Sequence, residues 1–234
     1  MLTKELIQAL DEPSGATMDN KDSTDISGYR YESAKMGCTS AYVLPAVLRE
    51  LDRIRSGLPS GETRLFEVGC GNGGNANALA QRGWNVSGVD VSITGIANAN
   101  AHYPHLNLLE GSAYEDLAAR FGTFPLVISL EVVEHLYFPR RFAKTIFSLL
   151  APGGAAIVST PYHGYLKNLA LAVSGKLDDH FTALWDHGHI KFWSATTLRE
   201  LLLEAGFADL RLVRVGRRIP WFAKSMIVIA TRPF

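Results

Sequence analysis

The chain is poor in the features that mark specialised protein classes. It has two cysteines in 234 residues, Cys38 and Cys70, far apart and outside any CxxC pair. That excludes a disulfide scaffold and a cysteine-rich zinc site as organising principles, and two free thiols suit a reducing compartment. Charge of either sign is not in excess: 23 Lys+Arg stand against 23 Asp+Glu. A neutral balance gives no general attraction to nucleic acid, whose binding rests on neutralising phosphates with cations. The basic doublets Arg140-Arg141 and Arg217-Arg218 read as solvated faces rather than a nucleic-acid surface. No apolar run reaches the ~18 residues that span a bilayer. The acid-bearing start MLTKELIQALDEP has no secretory apolar core. The expectation is a cytoplasmic protein with no stable membrane association, monomeric or homodimeric. What is present is ordinary globular material, 47% hydrophobic and 20% charged, enough for one large domain.

Residues 1–40 read as an N-terminal arm, polar and rich in small residues, with a short helix at Leu2–Leu10. Tyr29 and Tyr31 are placed to close as a lid. From 41 onward one α/β domain is expected, running to 234. Val43, Leu44, Val47, Leu48, Leu51 and Ile54 recur at helical spacing. After Arg64, short apolar runs alternate with helical patterns: RLFEVG, NVSGVD, LNLLEG, PLVISLEVV and AAIVSTP as strands. NANALAQRG, ITGIANANAHY and FAKTIFSLLAPGG fall between them as helices, the last closed by its Pro and Gly. A further helix, TTLRELLLEAGF, opens with Thr197 and Glu200 at capping-box spacing. DLRLVRVG and MIVIATR end the chain as a hairpin. This alternation predicts a mostly parallel sheet covered by helices on both faces. Residues 162–193 form a long insertion rich in aromatics and histidine, and such a loop usually carries function. Within it, Leu166–Val173 is weakly amphipathic and reads as a packed helix.

The sharpest motif is Glu67-Val-Gly69-Cys70-Gly71-Asn-Gly73-Gly74, at the end of the first core strand and the start of a helix. Glycines permit positive φ and close approach of backbone amides to a ligand. Asp90 ends the second strand about 20 positions beyond Gly71, where an acid accepts both hydroxyls of a ribose. Together they point to an adenosine-type cofactor. Gly69, Gly71 and Gly74 also satisfy GxGxxG, which keeps an NAD(P)-dependent oxidoreductase in view. The deciding residue is Glu67: a carboxylate there repels a diphosphate but suits an ammonium, which S-adenosylmethionine carries.

On these residues the sequence resembles the class I S-adenosylmethionine-dependent methyltransferases, with the E/D-x-G-x-G-x-G pattern. The likeness continues through Asp90, Gly111-Ser112-Ala113, the Glu131 region, Leu150-Ala-Pro-Gly-Gly154 and the terminal hairpin. Within that family, Glu131-Val-Val-Glu134-His135 and His189-Ile-Lys-Phe192-Trp-Ser are most similar to the branch containing the ubiquinone-biosynthesis O-methyltransferases. The resemblance implies a Rossmann-like seven-stranded sheet of order 3-2-1-4-5-7-6 with the last strand antiparallel. It implies methyl transfer to an oxygen, or a nitrogen, of a small-molecule acceptor. Glu67 would meet the methionine amino group, Gly69, Cys70 and Gly71 would pass under the cofactor, and Asp90 with Val91 would hold the ribose. Ser112 and Ala113 would meet the adenine, with Glu131 and Tyr31 completing the set. Ser112 departs from the family's frequent Asp.

Methyl transfer needs alignment and exclusion of water more than it needs a base. Sequence therefore marks the catalytic side weakly. His135 titrates near neutrality and is the first base candidate, with His189 the second. In the resembling enzymes the Glu131, Glu134 and His135 cluster holds a divalent cation. Here three roles stand side by side: anchoring the cofactor loop, accepting a proton, and binding a metal, which is not expected. His163, His180, His187 and His189 lie in the insertion, and Phe181, Trp185, Phe192 and Trp193 are read as its core. An RNA or protein methyltransferase, which would need an electropositive rim, and a cofactor-binding protein without turnover are the remaining alternatives.

Overall fold

The structure, a computed structural model, describes residues 30–181, 183–185 and 187–234. The helix expected at Leu2–Leu10 and the lid residue Tyr29 lie outside them. The seven strands are β1 (Arg64–Val68), β2 (Asn85–Asp90), β3 (Asn107–Glu110), β4 (Phe124–Leu130), β5 (Leu150–Pro161), β6 (Ala208–Val215) and β7 (Ser225–Thr231). They form one sheet in the order β3-β2-β1-β4-β5-β7-β6. β1 to β5 pair in parallel, and β7 runs antiparallel to both β5 and β6. β4 is buried along its whole length, as a central strand covered on both faces must be.

The helices are α1 (Ser40–Arg55), α2 (Gly74–Ala80), α3 (Ile93–His102), α4 (Leu117–Phe121), α5 (Pro139–Leu149), α6 (Tyr165–Val173), α7 (Leu177–Phe181) and α8 (Ala195–Glu204). They divide the core in two. On one face Val43, Val47 and Leu51 of α1, Leu79 of α2 and Ile96 of α3 pack on Leu65, Leu126 and Ile128. On the other, Leu117, Phe142, Ile146, Leu198 and Leu202 pack on Phe66, Val127 and Val158. Each such buried side chain contributes about 1.5–3 kcal/mol of transfer free energy. The buried Glu50 of α1 bonds Arg53 and, from β6, Arg211. The Arg211 hydrogen bond leads in holding its carboxyl below the usual carboxylate range.

Local detail differs from the sequence reading at four places. β4 stops at Leu130 rather than running through Val133, because Glu131 takes φ 57° and breaks the ladder. α5 ends at Leu149, and Leu150–Gly154 enter β5 instead of closing the helix. The guanidinium of Arg232 donates to the carbonyls of Phe147 and Leu150, supplying acceptors' partners where the helix runs out. The capping box of α8 is Ser194 with Thr197, each side chain bonding the other's amide, so Glu200 lies beyond it. α6 exists but buries none of its residues: Leu169 is 61% and Val173 82% exposed.

Candidate active site

Because the chain moves from β1 outward to β3 and then returns to β4, the crevice between β1 and β4 is the sheet's switch point, where open α/β folds bind ligands. The glycine loop fills its floor. Gly69 (φ 83°) and Gly71 (φ 53°) both use the left-handed region. A Cβ at Gly69 would collide with Val132, and one at Gly71 with the ring of Tyr31. The amides of Gly69 and Cys70 donate to the carbonyl of Val89 at 2.8 and 3.0 Å, locking the turn to β2. The Cys70 side chain packs into the α1–α3 core, where burial pushes its thiol well above its ordinary pKa.

Asp90 is the loop's other support. Its Oδ2 accepts from the Gly71 amide and its Oδ1 from the Ser92 amide, both at 2.8 Å. A carboxylate oxygen accepts more than one hydrogen bond, so ribose hydroxyls can add to these. Val91 follows, half-buried. Past β3, the Ser112 amide donates to Glu115 at 2.9 Å, the Ser112 hydroxyl accepts from the Tyr114 amide, and Ala113 packs against the core.

Glu67 is 1% exposed at the end of β1, and its Oε2 has no hydrogen-bond partner among the described residues. Burial, with the nearby Asp90 charge second, raises its pKa to about 8. An orphaned buried carboxylate oxygen is costly unless a ligand cation meets it. The residues fit S-adenosylmethionine at Glu67, where the cofactor's ammonium would satisfy the orphaned oxygen.

A strap formed by residues 30–36 covers this loop. Tyr31 donates its amide to Thr94 at 3.1 Å and accepts from the Asn98 amide group at 2.7 Å. Asn72 donates to the carbonyls of Ser33 and Lys35, and the Tyr103 hydroxyl donates to that of Ala34. Thr94, Asn98, Asn72 and Tyr103 escaped the sequence reading. Asn72 lies within the glycine motif and was its nearest available signal.

On the β4 side, Glu131 accepts at Oε1 from Ser159 at 2.8 Å and at Oε2 from Ser225 at 3.2 Å, so β5 and β7 hold its carboxylate. Burial raises its pKa to about 7 against the lowering effect of those two hydroxyls. Glu134, 1% exposed, accepts from Thr160 at 2.9 Å and leaves Oε1 unpartnered, 4.0 Å from Nε2 of His189. Burial first, and Glu131 second, push its carboxyl far upward. Its carbonyl accepts both the Ile190 and Lys191 amides at 2.9 Å, fastening the end of the insertion to the turn after β4.

Nδ1 of His135 lies 3.2 Å from the carbonyl oxygens of His187 and Gly188. Carbonyls only accept, so Nδ1 carries the proton and Nε2 keeps its lone pair. Its ring meets His189 edge-on at 4.9 Å. Burial lowers the pKa of His135, and burial with the neighbouring His135 and His180 lowers that of His189 to about 4. Both are neutral bases near pH 7. Glu134, His135 and His189 each offer a ligand atom within 4.8 Å of the others. Among the described residues the metal-capable set is thus Glu134, His135 and His189, with His189 in the place expected of Glu131. The insertion's aromatics separate: Trp193 is buried in the main core and bonds the Val133 carbonyl, whereas Phe181 and Phe192 surround His163.

A family profile described as methyltransferase domain matches residues 40–212. The chain belongs to that methyltransferase family. Its sheet order and glycine loop are those of a class I S-adenosylmethionine-dependent methyltransferase domain. The chain is 36% identical over 143 residues to a ubiquinone biosynthesis O-methyltransferase of Caulobacter sp. (strain K31), covering 59% of this chain and 56% of that protein. It is 30% identical over 177 residues to the protein of the same name from Cereibacter sphaeroides (strain ATCC 17025 / ATH 2.4.3), covering 72% and 70%. The chain thus spans little more than half the length of the first of these curated relatives. A solved phosphoethanolamine N-methyltransferase 2 of Haemonchus contortus in complex with S-adenosyl-L-methionine superposes with a TM-score of 0.59 at 16% identity. That match covers 81% of this chain and 53% of the other, and shows shared fold alone. No helix among the described residues is long and apolar enough to cross a membrane.

Proposed function

We propose that the protein transfers a methyl group from S-adenosylmethionine to an oxygen of a small-molecule acceptor, acting in the cytoplasm. The orphaned, buried Oε2 of Glu67 at the mouth of the glycine loop carries this reading. When bound, the cofactor supplies an electrophilic methyl on a sulfonium. Glu67 holds the amino group, Asp90 the ribose, and the turn at Ser112 and Ala113 lies along the adenine side. Tyr31 lies over Gly71 and keeps water from the crevice. His135 faces the acceptor as general base: its Nδ1 proton rests on the 187–188 carbonyls, and Nε2 takes the acceptor's hydroxyl proton. A hydroxyl acceptor needs such a base more than an amine does, and the relatives named O-methyltransferases support an oxygen acceptor.

Calorimetric titration tests the reading. S-adenosylmethionine should bind measurably at about 100 μM, within the usual micromolar-to-millimolar range of enzyme constants, while NAD should not bind. Nicotinamide binding without that of the sulfonium compound would overturn it. A cation on Glu134, His135 and His189 is the second reading, favoured by their convergence within 4.8 Å. It would polarise an acceptor oxygen in place of the base.

A further inference from the structure

At the root of the insertion, α6 meets the loop between β6 and β7 around an open groove of about 610 Å³. That is the size of an ordinary small-molecule site. Its walls divide by chemistry: Lys167, Arg217 and Arg218 bring three cations, and Leu171, Ile219 and Phe222 bring an apolar side. No acid is among the described residues lining it. None of the three cations pairs with a carboxylate among the described residues.

Lys167 is not a free surface lysine. Its ammonium donates to the Tyr162 carbonyl at 2.8 Å, which fixes it at the root of the insertion. Burial, and then the Arg217 charge, lowers its pKa to about 8. Like charges bordering one space repel one another, as Arg217 repels Lys167, and a shared anion would relieve that repulsion. Beside them Ile219 is 58% and Phe222 42% exposed, large apolar surface left to solvent. Cations alone would suit phosphate, and the apolar side alone would suit any oily body. Both together select a molecule with one acidic end and one hydrocarbon end.

We propose that the groove between α6 and the β6–β7 loop binds a small amphiphilic acid, a carboxylate or phosphate monoester on an alkyl chain. The acid would sit on Lys167, Arg217 and Arg218, and the chain would lie along Leu171, Ile219 and Phe222. None of its lining residues belongs to the glycine loop or to the Glu134, His135 and His189 set, and the proposal does not depend on the methyl-transfer reading.

The test uses the intact chain, with decanoate and decyl phosphate as probes, decan-1-ol as the uncharged control, and displacement of anilinonaphthalene sulfonate as the signal. Decanoate should bind with a Kd of about 10 μM to 1 mM, and decan-1-ol at least about tenfold more weakly. Lys167→Gln and the double variant Arg217→Gln/Arg218→Gln should each weaken decanoate by at least about fivefold, the loss of a charge-assisted contact. They should leave decan-1-ol binding and S-adenosylmethionine affinity unchanged, which also certifies that the variants fold. Equal binding of acid and alcohol, or acid binding indifferent to all three substitutions, would overturn the proposal. So would binding to phosphatidylglycerol vesicles that needs the same cations while free decanoate does not bind, since that describes a membrane surface. Loss of cofactor binding in the unsubstituted protein would count against methyl transfer alone.

Discussion

The amide of Gly71 donates to Oδ2 of Asp90 over 2.8 Å, although 19 positions separate them in the chain. The acid proposed to hold the ribose therefore also builds the glycine turn. A substitution there has two readouts, one for the scaffold and one for the proposed recognition.

Asp90→Ala should weaken S-adenosylmethionine binding by about 1.5–3 kcal/mol through loss of charge-assisted bonds. It should also lower stability by roughly 1–3 kcal/mol, since the Gly71 and Ser92 amides lose their acceptors. Calorimetry and thermal unfolding measure the two effects. Unchanged affinity in a destabilised variant would leave Asp90 with the structural role only.

Glu67 should trade stability for binding. With its pKa near 8, the folded chain keeps a proton there that the unfolded chain releases from about pH 4.3 upward. The native state binds more protons in that window, so this group's contribution to stability falls as pH rises from about 4.3 to 8, by a few kcal/mol in order of magnitude. Glu67→Gln should raise the melting temperature at pH 8 and remove cofactor binding. Cofactor binding near pH 7 should release a proton as the carboxyl ionises against the ammonium. Titrations in buffers of differing ionisation enthalpy count that proton.

His135→Ala should lower kcat by about 10²–10⁴-fold with little change in cofactor affinity. Because burial lowers the pKa of His135, the acidic limb of the rate profile should fall below the ordinary imidazole value of about 6.5. Turnover should persist in a chelator. Abolition by chelator with recovery on adding a divalent cation would replace the base with the metal at Glu134, His135 and His189.

His189 and His163 titrate in the opposite sense from Glu67. Both have pKa values of about 4, with burial the leading cause. The unfolded chain binds protons there between pH 4 and about 6.5 that the folded chain refuses. Stability should thus fall as pH drops through that window, and His163→Phe should flatten the acid side of a melting-temperature profile.

Asn72→Ala should raise the cofactor's KM several-fold while kcat is retained. It removes two bonds from the strap, each contributing about 0.5–1.5 kcal/mol, but touches no reacting atom. A change in kcat alone would place the strap on the acceptor side.

The sheet, the glycine loop and Asp90 were legible because they are local: a strand of alternating or continuous apolar residues, then glycines, then an acid. The rest depended on partners distant in sequence. Glu131 reads as a strand continuation, since two valines follow it. Only Ser159 and Ser225, from other strands, reveal the backbone turn that redirects its carboxylate. His189 joined Glu134 through the returning insertion, a contact that no spacing encodes. α6 shows periodicity without burial, because an amphipathic pattern specifies a face and not what covers it. The capping box sits one turn before the Thr197 and Glu200 pair, because the Ser194 hydroxyl reaches the Thr197 amide and Thr197 returns the bond.

The insertion is tied down at both of its ends. The Tyr162 and His163 amides are held by the Lys224 and Trp193 carbonyls, and the Ile190 and Lys191 amides by Glu134. Between those anchors lie the His187 and Gly188 carbonyls that hold Nδ1 of His135, and the Trp185 and His189 rings that meet its imidazole. Exchange of this cassette would therefore change the walls around that histidine and its orientation together.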